Sequence, residues 1–369
     1  MERFVCCEKT TPFEKVENGY KCTQCGKIYL NKSICYLKEN LEFDDTKYQS
    51  KFRGRKADYI KNENKHLFST LQTGKVEVMR IDKEYNVLER KIVKVKKNVL
   101  EHKLNMNDTF LTITDKGVIN VYDIKRAEII SEIKLGIEYS HYKIKIFPFG
   151  KQGNWLYIDT EKIVIFSNDF KNSRVVLVFK EFIESDKAMS ISSVDYNLEY
   201  DCFAIHILYW KKEVDDNYIK RASFHLNNNE GTYTYEKIFY DSGIELTYDF
   251  DEQIYYGIYN NTMIMMKRNG EVNILYELPI VKSYSDGGIF WVEEFLSSPH
   301  KMFFLSNNLV VLLYAHEWII MDIENKIIKR AFDAKSNLIQ SFFILDENTI
   351  TYSAGLNTYI VKISDNDMR

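Results

Sequence analysis

Proline is scarce, 4 residues in 369, and no run of about 18 apolar residues occurs anywhere in the chain. The missing run excludes a helical membrane span, since the longest candidate, Met302 to Tyr314, is broken by Ser306, Asn307 and Asn308. The opening residues, Met1-Glu2-Arg3-Phe4-Val5-Cys6-Cys7, turn charged without the apolar segment of about 7 to 15 residues that a secretory leader needs. That reading gives a cytoplasmic location and reduced thiols. Catalytic signatures are missing as well. There is no P-loop, no GxGxxG and no GxSxG, and the seven histidines, at 66, 102, 141, 206, 225, 300 and 316, form no HxH, HExxH or 2-His-1-carboxylate spacing. The net charge of -3 is not that of a general nucleic-acid binder.

What is present is a repeat. A short apolar strand core recurs at Met79, Tyr122, Phe166, Phe224, Met266, Met321 and Val361, with spacings of 43, 44, 58, 42, 55 and 40 residues. A period of about 40 to 45 residues suits a four-stranded blade, which buries both faces only when stacked between neighbours. The clearest copy runs from Thr109 to Leu135. Thr109–Thr114 alternates in polarity, Asp115-Lys116-Gly117 supplies a tight turn in which glycine accepts positive φ, and Val118–Asp123 and Glu128–Leu135 continue as strands. A second copy, Glu317 to Phe332, aligns Met321-Asp322-Ile323 with Tyr122-Asp123-Ile124. Both resemble the strand-ending Trp-Asp region of WD40-like and YVTN-like β-propeller blades, without the Trp-Asp dipeptide or the preceding Gly-His. The resemblance covers about residues 50–369 and implies an all-β, seven-bladed propeller, with six or eight blades, or stacked sandwiches, as alternatives.

Two long intervals mark insertions, at Tyr209 to Ala222 in the fourth blade and Tyr284 to His300 ahead of the sixth blade's third strand. The second carries Phe290, Trp291 and Phe295 between Gly287-Gly288 and Pro299, aromatics suited to a partner surface unless they fold back onto the propeller. Thr358–Ile363 reads as the third strand of the last blade. The chain then ends too soon for a fourth, so a strand from about 34–43 is expected to complete it and remove an exposed edge.

Five of the six cysteines fall in the first 35 residues, which sets off residues 1–33 as an N-terminal arm before a propeller of 34–369. Gly19-Tyr20-Lys21-Cys22-Thr23-Gln24-Cys25-Gly26 resembles half of a zinc ribbon. Its Cys-x2-Cys-Gly turn aims two thiolates at one centre, and a structural Zn2+ would take Cys6, Cys7, Cys22 and Cys25, with Cys35 as an alternative ligand. Cys202 lies in an apolar strand and reads as a core thiol. From Lys47 to Lys103 there are 16 Lys/Arg against 7 Asp/Glu. The cluster Arg53, Arg55 and Lys56, with Lys94, Lys96 and Lys97 on an outer strand, is a candidate phosphate-binding patch, although a solvated lysine face explains it more simply. No convergent set of ionisable residues accompanies the repeat. The expected function is a non-enzymatic interaction or scaffolding module with a protein partner. The alternatives are a central-channel enzyme or small-molecule binder that leaves no motif, and nucleic-acid binding through the arm and first blade.

Overall fold

In the computed structural model the chain folds as seven β-sheets arranged as the blades of a propeller, each built on four antiparallel strands, with a fifth strand added in parallel to one of them. The described residues are 2–6, 9–16, 19–23, 26, 28–30, 43–44, and 49–363 apart from 63–64, 151, 184, 186–187, 198–201, 213–216, 230–231, 242–243, 251–252, 260–261, 268, 270, 279–280, 287–291, 298, 307–308, 315–316, 326 and 334–337. An N-terminal sheet is ordered β1 (Glu2–Cys6), β2 (Lys9–Val16), β3 (Gly19–Cys22), β4 (Ile28–Leu30), and two short strands follow, β5 (Phe43–Asp44) and β6 (Ser50–Arg53). The expected division at 33/34 lies outside the described residues.

Blade 1 is β7 (Lys56–Asn62), β8 (Lys65–Gln72), β9 (Lys75–Ile81) and β10 (Val87–Lys94). Blade 2 is β11 (Val99–Leu104), β12 (Thr109–Thr114), β13 (Val118–Asp123) and β14 (Glu128–Lys134). Blade 3 is β15 (Lys145–Phe149), β16 (Asn154–Ile158), β17 (Lys162–Phe166) and β18 (Ser173–Val178). Blade 4 is β19 (Ser190–Asn197), β20 (Cys202–Lys212), β21 (Asn217–Asn229) and β22 (Thr232–Asp241). Blade 5 is β23 (Ile244–Asp249), β24 (Ile254–Tyr259), β25 (Thr262–Met266) and β26 (Val272–Glu277). The hairpin β27 (Val281–Asp286) and β28 (Val292–Ser297) precedes blade 6, which is β29 (Lys301–Ser306), β30 (Leu309–Leu313), β31 (Glu317–Asp322) and β32 (Ile327–Asp333). Blade 7 is β33 (Ile339–Asp346), β34 (Thr349–Ala354), β35 (Asn357–Lys362) and, from the other end of the chain, β6.

All seven recurring apolar positions of the sequence fall on the third strand of their blade. The middle strands sit between two neighbouring blades, and β12, β31 and β34 are buried along their whole length, whereas β14 is exposed along most of its own. Packing repeats the same logic. Seven buried apolar clusters occur among the described residues, and each joins one blade to the next, including one that joins blade 7 to blade 1 through Leu345, Ile360, Phe52, Phe68 and Met79. The blade 6–7 cluster centres on Trp318, fully buried, stacked on Phe332 with ring centroids 3.8 Å apart.

The strand that completes the last blade is β6, not the 34–43 segment expected. It pairs antiparallel with β35, Thr358 opposite Phe52 and Ile360 opposite Ser50. The reason lies in the alternation of Ser50-Lys51-Phe52-Arg53, which turns Phe52 into the blade 7–1 cluster and leaves Lys51 and Arg53 in solvent. Residues 34–42 lie outside the described residues, and Phe43 belongs to β5, which adds in parallel to the outer edge of blade 6 beside Ala331 and Phe332. Tyr85, whose hydroxyl donates to Asp346, and Thr358, whose hydroxyl donates to the Gly54 carbonyl at 3.1 Å, add polar links across the same seam.

Candidate functional site

A seven-bladed ring encloses an axial channel, and here it is a cavity of about 770 Å³ lined by the innermost strands of all seven blades, β7, β11, β15, β19, β23, β29 and β33. Blades related by rotation run their innermost strands in one direction along the axis. Residues at the starts of those strands therefore share one end of the channel, and alternation along each strand sends every second side chain inward. Lys56, Lys145 and Lys301 are the first residues of β7, β15 and β29, and Glu101 and Lys103, the third and fifth residues of β11, line the same cavity. Phe147, Phe303 and Phe343 also line the cavity, and the Lys103 ammonium lies over the Phe147 and Phe343 rings, 5.7 and 5.8 Å from their centroids.

The channel charges divide into two sets. Lys56 Nζ lies 2.8 Å from Glu101 Oε2, and Lys103 Nζ lies 3.3 Å from Asp58 Oδ1, whose other oxygen accepts the Leu104 amide at 2.7 Å. Burial alone would raise the Glu101 pKa, but Lys103 and Lys56 overcome it and hold the carboxyl at about 2. Burial would likewise lower Lys103, and Asp58 and Glu101 more than reverse it. Lys145 and Lys301 form the other set, with no carboxylate of the described residues within ion-pair distance. Burial pushes the Lys145 ammonium down to about 8, the positive charges of Lys301, Lys103 and Lys56 add to that, and Glu101 opposes it. Lys301 rests over the Phe303 ring at 4.8 Å. On β19 the register shifts between Ile191 and Ser193, and the Ser192 and Ser193 hydroxyl oxygens are buried with no protein hydrogen-bond partner. Asp195, next along, accepts the Tyr248 amide at 2.8 Å and faces His206 Nε2 at 3.0 Å. His206 and His225, which flank the blade 4 hairpin, lie on paired strands opposite Ser223 and Ala204 and do not face each other.

A second feature is the outer rim of blades 1 and 2. A β-bulge between Val121 and Tyr122 leaves Ile130 as the extra residue of β14, so Ile129 and Ile130 both reach solvent, 48 % and 47 % exposed, where a regular pleat would hide one. On β10 a bulge does the same for Leu88, and Ile92 is also exposed. Between the two rims a groove of about 450 Å³ runs past Arg80, Glu89, Lys91 and Lys125, and the Lys91 ammonium donates to the Lys125 carbonyl across it.

The residues singled out in the sequence are dispersed. Arg53 is exposed on β6, Arg55 donates to the Val99 carbonyl, Lys56 joins the channel, and Lys96 pairs with Glu132 at 3.2 Å, so the basic cluster is partly consumed by intramolecular contacts. Phe295 is on β28, within a hairpin and not a loop, while Phe290 and Trp291 lie outside the described residues. Cys6 ends β1 opposite Lys9, and Cys22 ends β3 opposite Phe13, on strands that run parallel to each other on either side of β2. Cys7, Cys25 and Cys35 lie outside the described residues. Among the described residues no group of three or more His, Cys, Asp or Glu could hold a metal. Cys202 is buried, as expected of a core thiol. Sequence reasoning missed the channel lysines because each blade contributes only one or two. The signal was a Lys-x-Phe pattern repeated at Lys145-Ile146-Phe147 and Lys301-Met302-Phe303.

No family model and no curated protein matches the chain. Solved structures do. The C-terminal WD40 domain of Sif2 is 11 % identical, with 88 % of this chain and 99 % of that one covered at a TM-score of 0.50. The β-propeller domain of Swd1 from Myceliophteria thermophila is 10 % identical, with 86 % and 100 % covered at a TM-score of 0.52. The fold is that of the WD40 β-propellers. At such identities the likeness extends to the scaffold alone, and a propeller scaffold carries many functions. No helix among the described residues is long and apolar enough to cross a membrane.

Proposed function

We propose that this WD40-type propeller is a non-enzymatic protein-interaction module, a scaffold in a cytoplasmic assembly, and that a protein partner docks on the outer rim of blades 1 and 2. The observation that carries this reading is the pair of solvent-exposed isoleucines, Ile129 and Ile130, on an outermost strand. Folded chains guard such edges with charge, bulges or cover, because an unpaired apolar edge recruits other chains. Here the bulge brings more apolar surface to solvent. Blade 6 supports the idea from within the molecule, since its corresponding edge, β32, already accepts the added strand β5. Affinity purification at near-native expression tests the reading, comparing wild type with an Ile129→Lys/Ile130→Lys variant. The expected result is a discrete protein partner recovered with wild type and lost with the variant, and recovery of no specific partner would overturn it.

Nucleic-acid binding through the first blade draws less support, because Arg55 and Lys56 are engaged inside the fold. For the N-terminal sheet we propose a structural zinc ion held by Cys6, Cys7, Cys22 and Cys25, with Cys35 as the alternative ligand. Gly26, at φ 72°, has the backbone conformation that a Cys-x2-Cys-Gly turn requires. Full-length protein is expected to carry one equivalent of zinc that Cys22→Ser removes.

A further inference from the structure

Two lysines stand directly opposite each other on blade 1. Lys75 opens β9 and pairs across the strands with Lys94, the last residue of β10. Like charges at facing positions of a sheet repel and destabilise it. The acids around them are taken, Glu77 by Arg90 at 3.1 Å, Glu101 by Lys56 at 2.8 Å and Glu132 by Lys96 at 3.2 Å, which leaves both ammonium groups without a carboxylate of the described residues in ion-pair distance. The turn before β9 draws in a third cation. Val95 donates its amide to the Gly74 carbonyl at 3.0 Å, and Lys97 Cγ lies 3.6 Å from where a Cβ on Gly74 would stand. Beside this turn a groove of about 310 Å³ crosses the seam where blade 7 meets blade 1, lined by Lys75, Arg53, Arg55 and Leu356 among others, with no acidic residue among those described. The backbone around it is pinned: Gly54 N–H donates to the Leu356 carbonyl at 2.9 Å, and the Arg53 carbonyl accepts from Thr70 Oγ1 at 3.1 Å and from Gln72 Nε2 at 2.8 Å. Leu356, in the turn between β34 and β35, is 67 % exposed, more than any other large hydrophobic residue described. An exposed leucine alone is ordinary; beside a concentrated positive charge it adds an apolar contact.

We infer that this groove and the turn beside it bind an acidic protein segment that carries an apolar side chain. Its carboxylates meet Lys75, Lys94, Lys97 and Arg53, and its apolar side chain packs on Leu356. Charge complementarity selects the partner, since bound carboxylates relieve the repulsion between Lys75 and Lys94 that the free protein carries. Arg55, whose guanidinium donates to the Val99 carbonyl, adds its charge without leaving that bond. The apolar contact separates a protein segment from a nucleic-acid backbone, for which cations alone suffice. Lys75, Lys94 and Lys97 belong to blade 1, whereas Arg53 and Leu356 belong to the strands and turn of blade 7. A segment bound across them therefore ties together the two blades that close the ring. The surface shares no residue with the Ile129–Ile130 rim and does not depend on that reading.

The test is fluorescence anisotropy of the full-length protein with labelled probes: a short peptide of alternating glutamate and leucine, its glutamate–serine and lysine–leucine counterparts, and oligothymidylate. The glutamate–leucine peptide is expected to bind tightest, to weaken as salt rises and to raise the melting temperature, and the lysine–leucine peptide not to bind. Lys75→Glu is expected to weaken the glutamate–leucine peptide at least about tenfold while the melting temperature of the free protein holds or rises, because the repulsion with Lys94 is removed. A lysine with a merely structural role would lower the melting temperature instead. Leu356→Ser is expected to weaken the glutamate–leucine peptide and leave the glutamate–serine peptide unchanged. The Ile129→Lys/Ile130→Lys variant is expected to bind as wild type does, so failure of the rim reading and failure of this one are told apart. Unchanged affinity in Lys75→Glu, no binding of the glutamate–leucine peptide at millimolar concentration, or its loss in the rim variant would overturn the inference. So would tighter binding of oligothymidylate, which would give the patch to nucleic acid.

Discussion

His102 illustrates how a single side chain couples the ring to pH. It is fully buried on β11, its Nε2 is 2.9 Å from the Ser69 hydroxyl of blade 1, and burial pushes its pKa down to about 4 against the ordinary 6.5. As pH falls from 6.5 to 4 the unfolded chain gains a proton that the folded one refuses, so stability drops by up to about 3 kcal/mol across that window. Glu101, held at about 2 in the fold, adds stability that is complete above pH 4.5 and lost between 4.5 and 2. Urea midpoints at pH 7 and 5 should separate the two: wild type loses stability between these values, and His102→Gln flattens the loss. An unchanged slope in the variant would contradict the account. Glycine supplies a second residue-scale case. Gly117 has φ 66°, as the Asp-Lys-Gly turn of the sequence implied, and a Cβ there would stand 1.9 Å from the Ile137 carbonyl oxygen. Gly117→Ala should cost about 1 to 3 kcal/mol in a denaturation experiment, from strain and the clash together.

At the scale of elements, the seam between β35 and β6 decides whether the ring is closed. Phe52 contributes the apolar side chain of β6, and the preceding and following residues bond to blade 7 through Gln49 N–H to Ile360 C=O and Gly54 N–H to Leu356 C=O, both 2.9 Å. Phe52→Asp should detach β6 and expose the edge of β35, read as new cleavage near residue 54 in limited proteolysis and as faster aggregation. Protection equal to wild type would place the closure elsewhere. Trp318→Ala, by contrast, empties the blade 6–7 cluster without touching an edge, and should cost about 3 to 5 kcal/mol with the ring intact. The third strands were legible in the sequence because they are packed between neighbouring blades and read as short apolar runs recurring every 40 to 58 residues, as at Met79 and Met321. The strands Thr109–Thr114 and Val118–Asp123 were legible to the residue, since a turn glycine separates two unambiguous runs. The closing strand was not. Ser50-Lys51-Phe52-Arg53 has one apolar residue and four positions, too little for a periodic signal, and its identity is fixed by a partner about 300 residues away. The hairpin β27–β28 was hidden by the same weakness, because its pairing of Ser283 with Phe295 and Tyr284 with Glu294 follows no apolar period.

The whole molecule joins a closed apolar ring to two surfaces of different chemistry. The channel is polar and lysine-rich at the strand starts because seven strands each turn one or two inward residues to the axis, a convergence that only the ring creates and that no linear motif records. The rim of blades 1 and 2 is apolar where an edge strand is ordinarily guarded. The central claim is that this rim meets a protein. Photo-crosslinking in cells from a benzoylphenylalanine at position 130, with position 116 in the turn of the same blade as control, tests it most directly. The account predicts a discrete covalent adduct with one partner protein from position 130 and none from position 116. No adduct from position 130, or the same adducts from both positions, would contradict it.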